Sequence, residues 1–174
     1  LNNGLSYIQT SSPLSFYDTS SGLKGSVYAI VKHRGELFAG TSAGLFAAVN
    51  KPGSKSFRPA GLEGIPVRSL YSDGINLFAG TDFGLYRSYN NDFKVVDEGK
   101  AFVLEYWAKQ NILLAGGAGG LKAFDKTSGY SVKNTPSVEG EDIVGMAVYT
   151  NPTGSEELWI GTRYNGVISI TSKS

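Results

Sequence analysis

Four copies of one glycine-anchored phrase run through the chain. The first reads Leu37-Phe38-Ala39-Gly40-Thr41-Ser42-Ala43-Gly44-Leu45-Phe46, and the second Leu77-Phe78-Ala79-Gly80-Thr81-Asp82-Phe83-Gly84-Leu85-Tyr86. The third is Leu113-Leu114-Ala115-Gly116-Gly117-Ala118-Gly119-Gly120-Leu121, and the fourth Leu158-Trp159-Ile160-Gly161-Thr162-Arg163-Tyr164-Asn165-Gly166-Val167. A worn fifth copy, Asn2-Asn3-Gly4-Leu5, opens the chain. The copies return at intervals of ~40 residues, the length of one four-stranded propeller blade. The expected fold is therefore all-β: a β-propeller of four-stranded antiparallel blades, with about four blades in this chain.

Period-two alternation and turn residues divide each repeat into strands A to D, from the axis outward. In the first blade, A covers Val27 to Lys32, B Glu36 to Thr41, C Gly44 to Val49 and D Lys55 to Pro59. Corresponding strands begin at Val67, Asn76, Gly84 and Asp92 in the second blade, and at Val103, Asn111, Gly120 and Gly129 in the third. In the fourth they begin at Ile143, Glu157 and Gly166. The whole of 1–174 reads as one propeller domain or propeller segment, with blades over roughly 23–60, 62–98, 101–135 and 142–171 and N-terminal strands over 4–18. Arg34-Gly35, Asp73-Gly74 and Gln110-Asn111 supply A–B hairpin turns, since these residues tolerate positive φ.

The paired glycines have a steric explanation. Gly40, Gly80, Gly116 and Gly161 end strand B, while Gly44, Gly84, Gly120 and Gly166 start strand C. Blades crowd near the axis, and a Cβ at Gly40 or Gly80 is expected to strike the neighbouring blade or strain the turn. A phosphate-cradling loop would need a helix N-terminus after the glycines, and a strand follows instead.

Inner-strand residues align in columns. One is Val27, Val67, Val103 and Ile143; another is Ala29, Ser69, Glu105 and Gly145. Glu105 breaks the small-residue rule of its column, so it either points into a wet channel or caps a polar group. At the N-terminus, Leu5 to Gln9 reads as a C strand and Phe16 as part of a D strand, so the chain starts midway through a blade. Three closures fit: a small self-closed ring, two chains pairing into a larger ring, or an arc of a longer propeller. Unpaired end blades invite association, including a homodimer.

Composition narrows the partners. Net charge is +1 and charged residues make up 18% of the chain, with no basic stripe for nucleic acid and no polybasic segment for a membrane. Apolar runs are far too short to span a bilayer as a helix. Cysteine is absent, which removes disulfides and thiolate metal sites. The chain does not begin with methionine and reads as a mature or excised segment.

Catalytic constellations are lacking. His33, the one histidine, sits beside Arg34 and reads as an exposed turn residue. No nucleophile elbow, sialidase-type Asp box or aspartate-rich calcium loop is present. Glu139, Glu141 and Asp142 read as a solvated loop. No metal site and no cofactor are expected. The B–C turns offer more, because they gather with the D–A links at one mouth of a propeller. Asp82 and Phe83 in the second blade, and Arg163, Tyr164 and Asn165 in the fourth, are candidate ligand-binding residues, with Arg68 and Glu105 below them on inner strands. Rings stack on sugars and an arginine forks a carboxylate, so a small molecule or an oligosaccharide is the expected ligand.

The phrase Leu158-Trp159-Ile160-Gly161-Thr162 resembles the two-component-regulator propeller repeat, and Phe124-Asp125-Lys126-Thr127-Ser128-Gly129 looks like the same repeat's exit from strand C. The resemblance implies a periplasmic or extracellular sensor propeller ahead of a membrane helix and a histidine kinase output, with glycan fragments among the ligands. Only one copy of the phrase carries tryptophan. Three functions follow, in order: a non-enzymatic ligand-sensing module; a protein-interaction scaffold, with exposed aromatics near Tyr89, Phe93 and Tyr130; and a carbohydrate-active lyase or hydrolase.

Overall fold

A computed structural model describes residues 15–49, 56–90, 92–133 and 138–171. They form antiparallel sheets in the order of the repeats. The first blade is β1 (Val27–His33), β2 (Glu36–Thr41), β3 (Gly44–Ala48) and β4 (Phe57–Gly61). The second is β5 (Val67–Ser72), β6 (Leu77–Thr81), β7 (Gly84–Tyr89) and β8 (Asp92–Asp97). The third is β9 (Val103–Trp107), β10 (Ile112–Gly117), β11 (Gly120–Asp125) and β12 (Ser131–Lys133). The fourth is a three-stranded sheet among the described residues: β13 (Ile143–Thr150), β14 (Glu156–Thr162) and β15 (Val167–Thr171). Each sheet runs strand to adjacent strand, and the inner strands of consecutive blades lie side by side: β1 with β5, β5 with β9, β9 with β13. The chain is a β-propeller built of stacked antiparallel blades.

Alternation along strand B explains the stacking. Leu77 and Ala79 point to the first blade, where with Val67 of their own blade they join Leu45 and Phe38. Phe78, between them, points the other way and meets Leu113, Phe124 and Tyr130 of the third blade. Leu114 then meets Ile143, Leu158 and Ile160 of the fourth. The core thus lies between blades, and each large side chain fully buried there contributes roughly 1.5–3 kcal/mol. Leu23, ahead of β1, covers Ala39 and Phe46 on the opposite side of the first blade.

The B-strand glycines sit where neighbouring blades touch. A Cβ at Gly40 would lie 2.7 Å from Val67 Cγ1, and one at Gly116 2.5 Å from Ile143 Cγ2. At Gly80 it would lie 2.6 Å from the Ala101 carbonyl oxygen. Gly84 opens strand C at φ +150° against the backbone of Asp97, a conformation other residues rarely adopt.

Four expectations are corrected. Phe16 lies in no strand and is exposed; neighbouring Tyr17 meets Phe57 edge-on instead. Strand β4 starts at Phe57 and ends at Gly61, later than expected. In the third blade the exit from strand C first makes a 3-10 turn, Lys126–Ser128, capped by Asp125, which delays β12 to Ser131. The fourth correction concerns Glu105. Pairing of β1 with β2 skips a residue between Val27 and Ala29, and β5 and β13 do the same after Val67 and Ile143. Strand β9 has no such bulge, so Gly116 faces Val103 and Glu105 pairs with Leu114. Glu105 therefore shares its register position with Tyr71, not Ser69. The proposed strand Leu5 to Gln9 lies outside the described residues.

Candidate functional site

Three of the four B–C turns are held by their own threonines, and the third blade has Gly117 at that place. Thr81 Oγ1 donates to the Gly84 carbonyl at 2.9 Å and accepts from Phe83 N–H at 3.0 Å. Thr41 and Thr162 repeat the arrangement. Backbone bonds then join turns to D–A links: Ser42 N–H to Ser26 O at 2.9 Å, Ala101 N–H to Thr81 O at 3.0 Å, and Arg163 N–H to Asp142 O at 2.8 Å. Turn and link thus form one rim.

Bulges place side chains beneath this rim, since an inserted residue re-aims its side chain. The inserted residues are Tyr28, Arg68 and Val144. Arg68 forks Asp82, Nε to Oδ1 at 3.1 Å and Nη2 to Oδ2 at 3.0 Å, and lies 4.7 Å over the Tyr28 ring. The hydrogen bond to Asp82 raises the Arg68 pKa above its ordinary value, partly offset by desolvation. Tyr28 was not singled out in the sequence; the bulge that presents it has no signature there beyond an aromatic at the second residue of an A strand.

In the fourth blade Arg163 Nε donates to Asp142 Oδ2 at 3.0 Å, and Asn165 Nδ2 donates to both Glu141 carboxylate oxygens at 3.0 and 2.9 Å. The acidic loop thus braces a B–C turn. Tyr164 stands exposed above it, and Phe83 is exposed, to a lesser degree, above its own turn. Of the seven candidate residues, Arg68 and Asp82 come together, and Arg163, Tyr164 and Asn165 form a separate group around Glu141 and Asp142. No hydrogen bond or ion pair joins the groups among the described residues. Glu105 stands apart: its carboxyl is pushed up by burial and partly offset by a backbone hydrogen bond from Val148 on β13. That contact agrees with a polar cap between the third and fourth blades.

A second concavity lies at the A–B hairpin side, between the first two blades. It is a groove of ≈ 970 Å³ whose walls include His33, Arg34, Arg58, Tyr89, Asp92 and Phe93. His33 is buried, not an exposed turn residue: it ends β1 on the face that meets the second blade, and Nδ1 lies 2.7 Å from Ser72 Oγ. The turn itself is Arg34-Gly35, at φ 48° and 86°. Burial lowers the His33 pKa, helped by the Arg34 charge. Arg34 donates to the Ile75 carbonyl at 2.7 Å, and Arg58 pairs with Glu36 at 3.3 Å. The alternation Val31, His33 was the available signal for this inward turn.

Asp73, in the neighbouring hairpin, ties the second blade to the third. Burial raises its carboxyl, but hydrogen bonds from Asn76, Tyr130 and the Ile75 backbone outweigh that and hold it at about 2. Tyr130 donates to Asp73 at 2.6 Å and lies buried under Phe78 at 4.5 Å between ring centroids. Phe93 is half-buried, so of the three aromatics expected in exposed surface patches only Tyr89 is exposed. Among the described residues no three histidine or acidic side chains gather to hold a metal, and no helix is long and apolar enough to cross a membrane.

No protein-family model and no curated protein matches the sequence. The fold is similar to solved structures. One is the extracellular domain of BT3049 from B. thetaiotaomicron, described as a hybrid two-component system: TM-score 0.68, 19% identity, covering 92% of this chain and 22% of that one. Another is the extracellular domain of BT4673 from the same organism, also described as a hybrid two-component system: TM-score 0.63, 20% identity, covering 85% of this chain and 21% of that one. The computationally designed Ika4 protein aligns at TM-score 0.65 and 12% identity over 87% of this chain and 94% of its own. The chain spans about a fifth of the length of the two extracellular domains.

Proposed function

We propose that this propeller is a non-enzymatic ligand-sensing module, the extracytoplasmic sensor part of a bacterial two-component receptor. The observation that carries the reading is the groove between the first two blades, ≈ 970 Å³ with rings, guanidinium groups and two carboxylates on its walls, one of which, Glu36, pairs with Arg58. That volume lies at the upper end of the ~300–1,000 Å³ of small-molecule sites, and the mixture suits a polar ligand with apolar faces, such as an oligosaccharide. The mouth is the alternative seat, with exposed Phe83 and Tyr164 for stacking. Its two arginines already hold carboxylates of this chain, so a ligand there must displace Asp82 or Asp142 or bind through the rings. Two-component extracellular domains among the fold's likenesses support the sensor role. Signalling then works by population shift: the ligand stabilises one arrangement of the blades, and an attached output domain reads it.

Melting temperatures measured against a panel of neutral and acidic oligosaccharides and peptides test the reading. A rise with one class, abolished by Tyr89→Ala and Arg58→Ala, places the ligand in the groove; abolition by Phe83→Ala and Tyr164→Ala places it at the mouth. No shift across the panel sinks the proposal.

A further inference from the structure

His33 stands in the wall of the groove between the first two blades, yet the residue is only 8% exposed. One of its ring nitrogens is spent, since Nδ1 lies 2.7 Å from Ser72 Oγ on the second blade. Ser72 Oγ accepts from the Gly74 N–H at 3.2 Å, and among the described residues Nδ1 is the acceptor that meets the hydroxyl's own proton. Nδ1 therefore accepts, and the neutral ring carries its proton on Nε2. Burial and the Arg34 charge hold the ring neutral, against the pull of Asp73 and Glu36. Nε2 has no partner among the described residues. It is not one of the buried side-chain atoms left unpaired there, Ser69 Oγ and Asp142 Oδ1, so it opens to the groove.

The charges around His33 are unevenly spent. Arg58 is neutralised by Glu36 at 3.3 Å. Asp73 accepts from Asn76, Tyr130 and the Ile75 N–H. Arg34 donates to the Ile75 carbonyl at 2.7 Å, and among the described residues no carboxylate pairs with it. That bond draws the Arg34 head toward the second blade's hairpin, the side on which Ser72 holds the His33 ring. A guanidinium fork has further N–H donors to give. At the outer end of the groove Asp92 accepts from the Phe93 N–H and pairs with no cation among the described residues.

We propose that the inner end of the groove is a carboxylate seat, where Arg34 and the His33 Nε2–H donate to the acid group of a small ligand carrying a single carboxylate. Ser72 is the positioning residue that fixes the tautomer of the ring. The inference rests on the groove being the ligand's seat, and it names the group that is recognised. A sugar acid and the free carboxyl end of a short peptide present the same chemistry there. A polyanion does not fit, because Asp92 and Glu36 repel its further charges. A bound carboxylate favours the imidazolium, while burial lowers the pKa of the free ring. Between the free and bound values the complex holds one proton more, so affinity rises as pH falls through that window and levels off below the free value.

Imidazole nitrogen resonances read a single ring, because the chain has one histidine. The Nε2–H tautomer is expected, and Ser72→Ala should release it. A neutral ring protonated on Nδ1 overturns the proposal. Calorimetric titrations then use a glucuronate-ended disaccharide and its methyl ester, and a tripeptide with a free or an amidated carboxyl end. One acid is expected to bind at least ~10-fold tighter than its uncharged counterpart, as charge-assisted hydrogen bonds do, and the acid that binds identifies the source. Titration in buffers of different protonation enthalpy should show proton uptake. Arg34→Gln changes an exposed hairpin residue and should erase the preference for the acid without moving the melting temperature. His33→Gln keeps an N–H donor and should retain part of the preference while losing the proton uptake; uptake that survives it overturns the role of His33. Equal binding of acid and uncharged forms, abolished by Tyr89→Ala, overturns the carboxylate seat and leaves the groove reading standing. Binding by none of the four probes also overturns the seat, while the wider melting panel decides the groove reading separately.

Discussion

The second and fourth blades are built from the same phrase but meet different surroundings. Phe78 and Trp159 hold the same place on strand B, as do Gly80 and Gly161, and Asp73 and Asn151 both organise A–B loops. The second blade has a neighbour on each side. Phe78 is completely buried, Gly80 has no room for a Cβ, and Asp73 is clamped by Tyr130 of the third blade. The fourth has one covered face. Trp159 is exposed, Gly161 has space, and Asn151 bonds only within its own loop, to Thr153 and Ser155. A repeat's residues acquire their energetic weight from the blade beyond them, not from the motif.

The contrast breaks most easily at the aromatic. In protein dilute enough to be a single chain, Phe78→Ala should lower unfolding stability by about 3–5 kcal/mol, while Trp159→Ala stays under about 1 kcal/mol. Equal losses in urea titrations would end the distinction. At the glycines the signs should differ. Gly80→Ala forces the Ala101 carbonyl away and is expected to cost about 1–3 kcal/mol. Gly161→Ala meets nothing, has no positive φ, and should stabilise by about 0.4–1 kcal/mol through a less flexible unfolded chain.

The A–B loops separate by pH. Asp73 titrates at about 2 in the folded protein against 3.8 ordinarily, so its contribution is present above the ordinary value and lost as pH falls toward 2. Asp73→Asn should cost about 1.5 kcal/mol at neutral pH and flatten the acid limb of the stability curve. Asn151→Asp installs a carboxylate that accepts from Thr153 and Ser155 of its own loop, and it should steepen the acid limb, by less than Asp73→Asn flattens it because no tyrosine reaches it. Smallest of all are the rim pairs. Arg68→Ala and Arg163→Ala should each cost under about 1 kcal/mol, falling with added salt, and Arg68 the more because it also covers Tyr28. A loss at Arg163 as large as that at Phe78 would show that the fourth blade is held from its rim.

Much of the fold was legible because the glycines and the alternation between them report local geometry. Leu77-Phe78-Ala79-Gly80 states which side chain goes to which neighbour before any neighbour is known. The candidate site was less so. Asp82 pairs with Arg68 because a bulge turns Arg68 inward, and the same bulge is missing from β9, which moved Glu105 out of its expected column. Nothing in the residues around Val103 announces that difference. His33 was misread because hairpin position and strand face were both available, and its burial depends on Ser72, 39 residues away.

By itself the sequence determined the blade: its period, its strand order, the glycines that let sheets approach, and the alternation that gives each sheet two apolar faces. These follow from backbone sterics and from a two-residue periodicity, both local. Only the tertiary structure decided which faces are covered, which arginines are already neutralised, where the groove opens and which glycine has room to spare. Those depend on the distance between one blade and the next, and that distance is set by every side chain between them together.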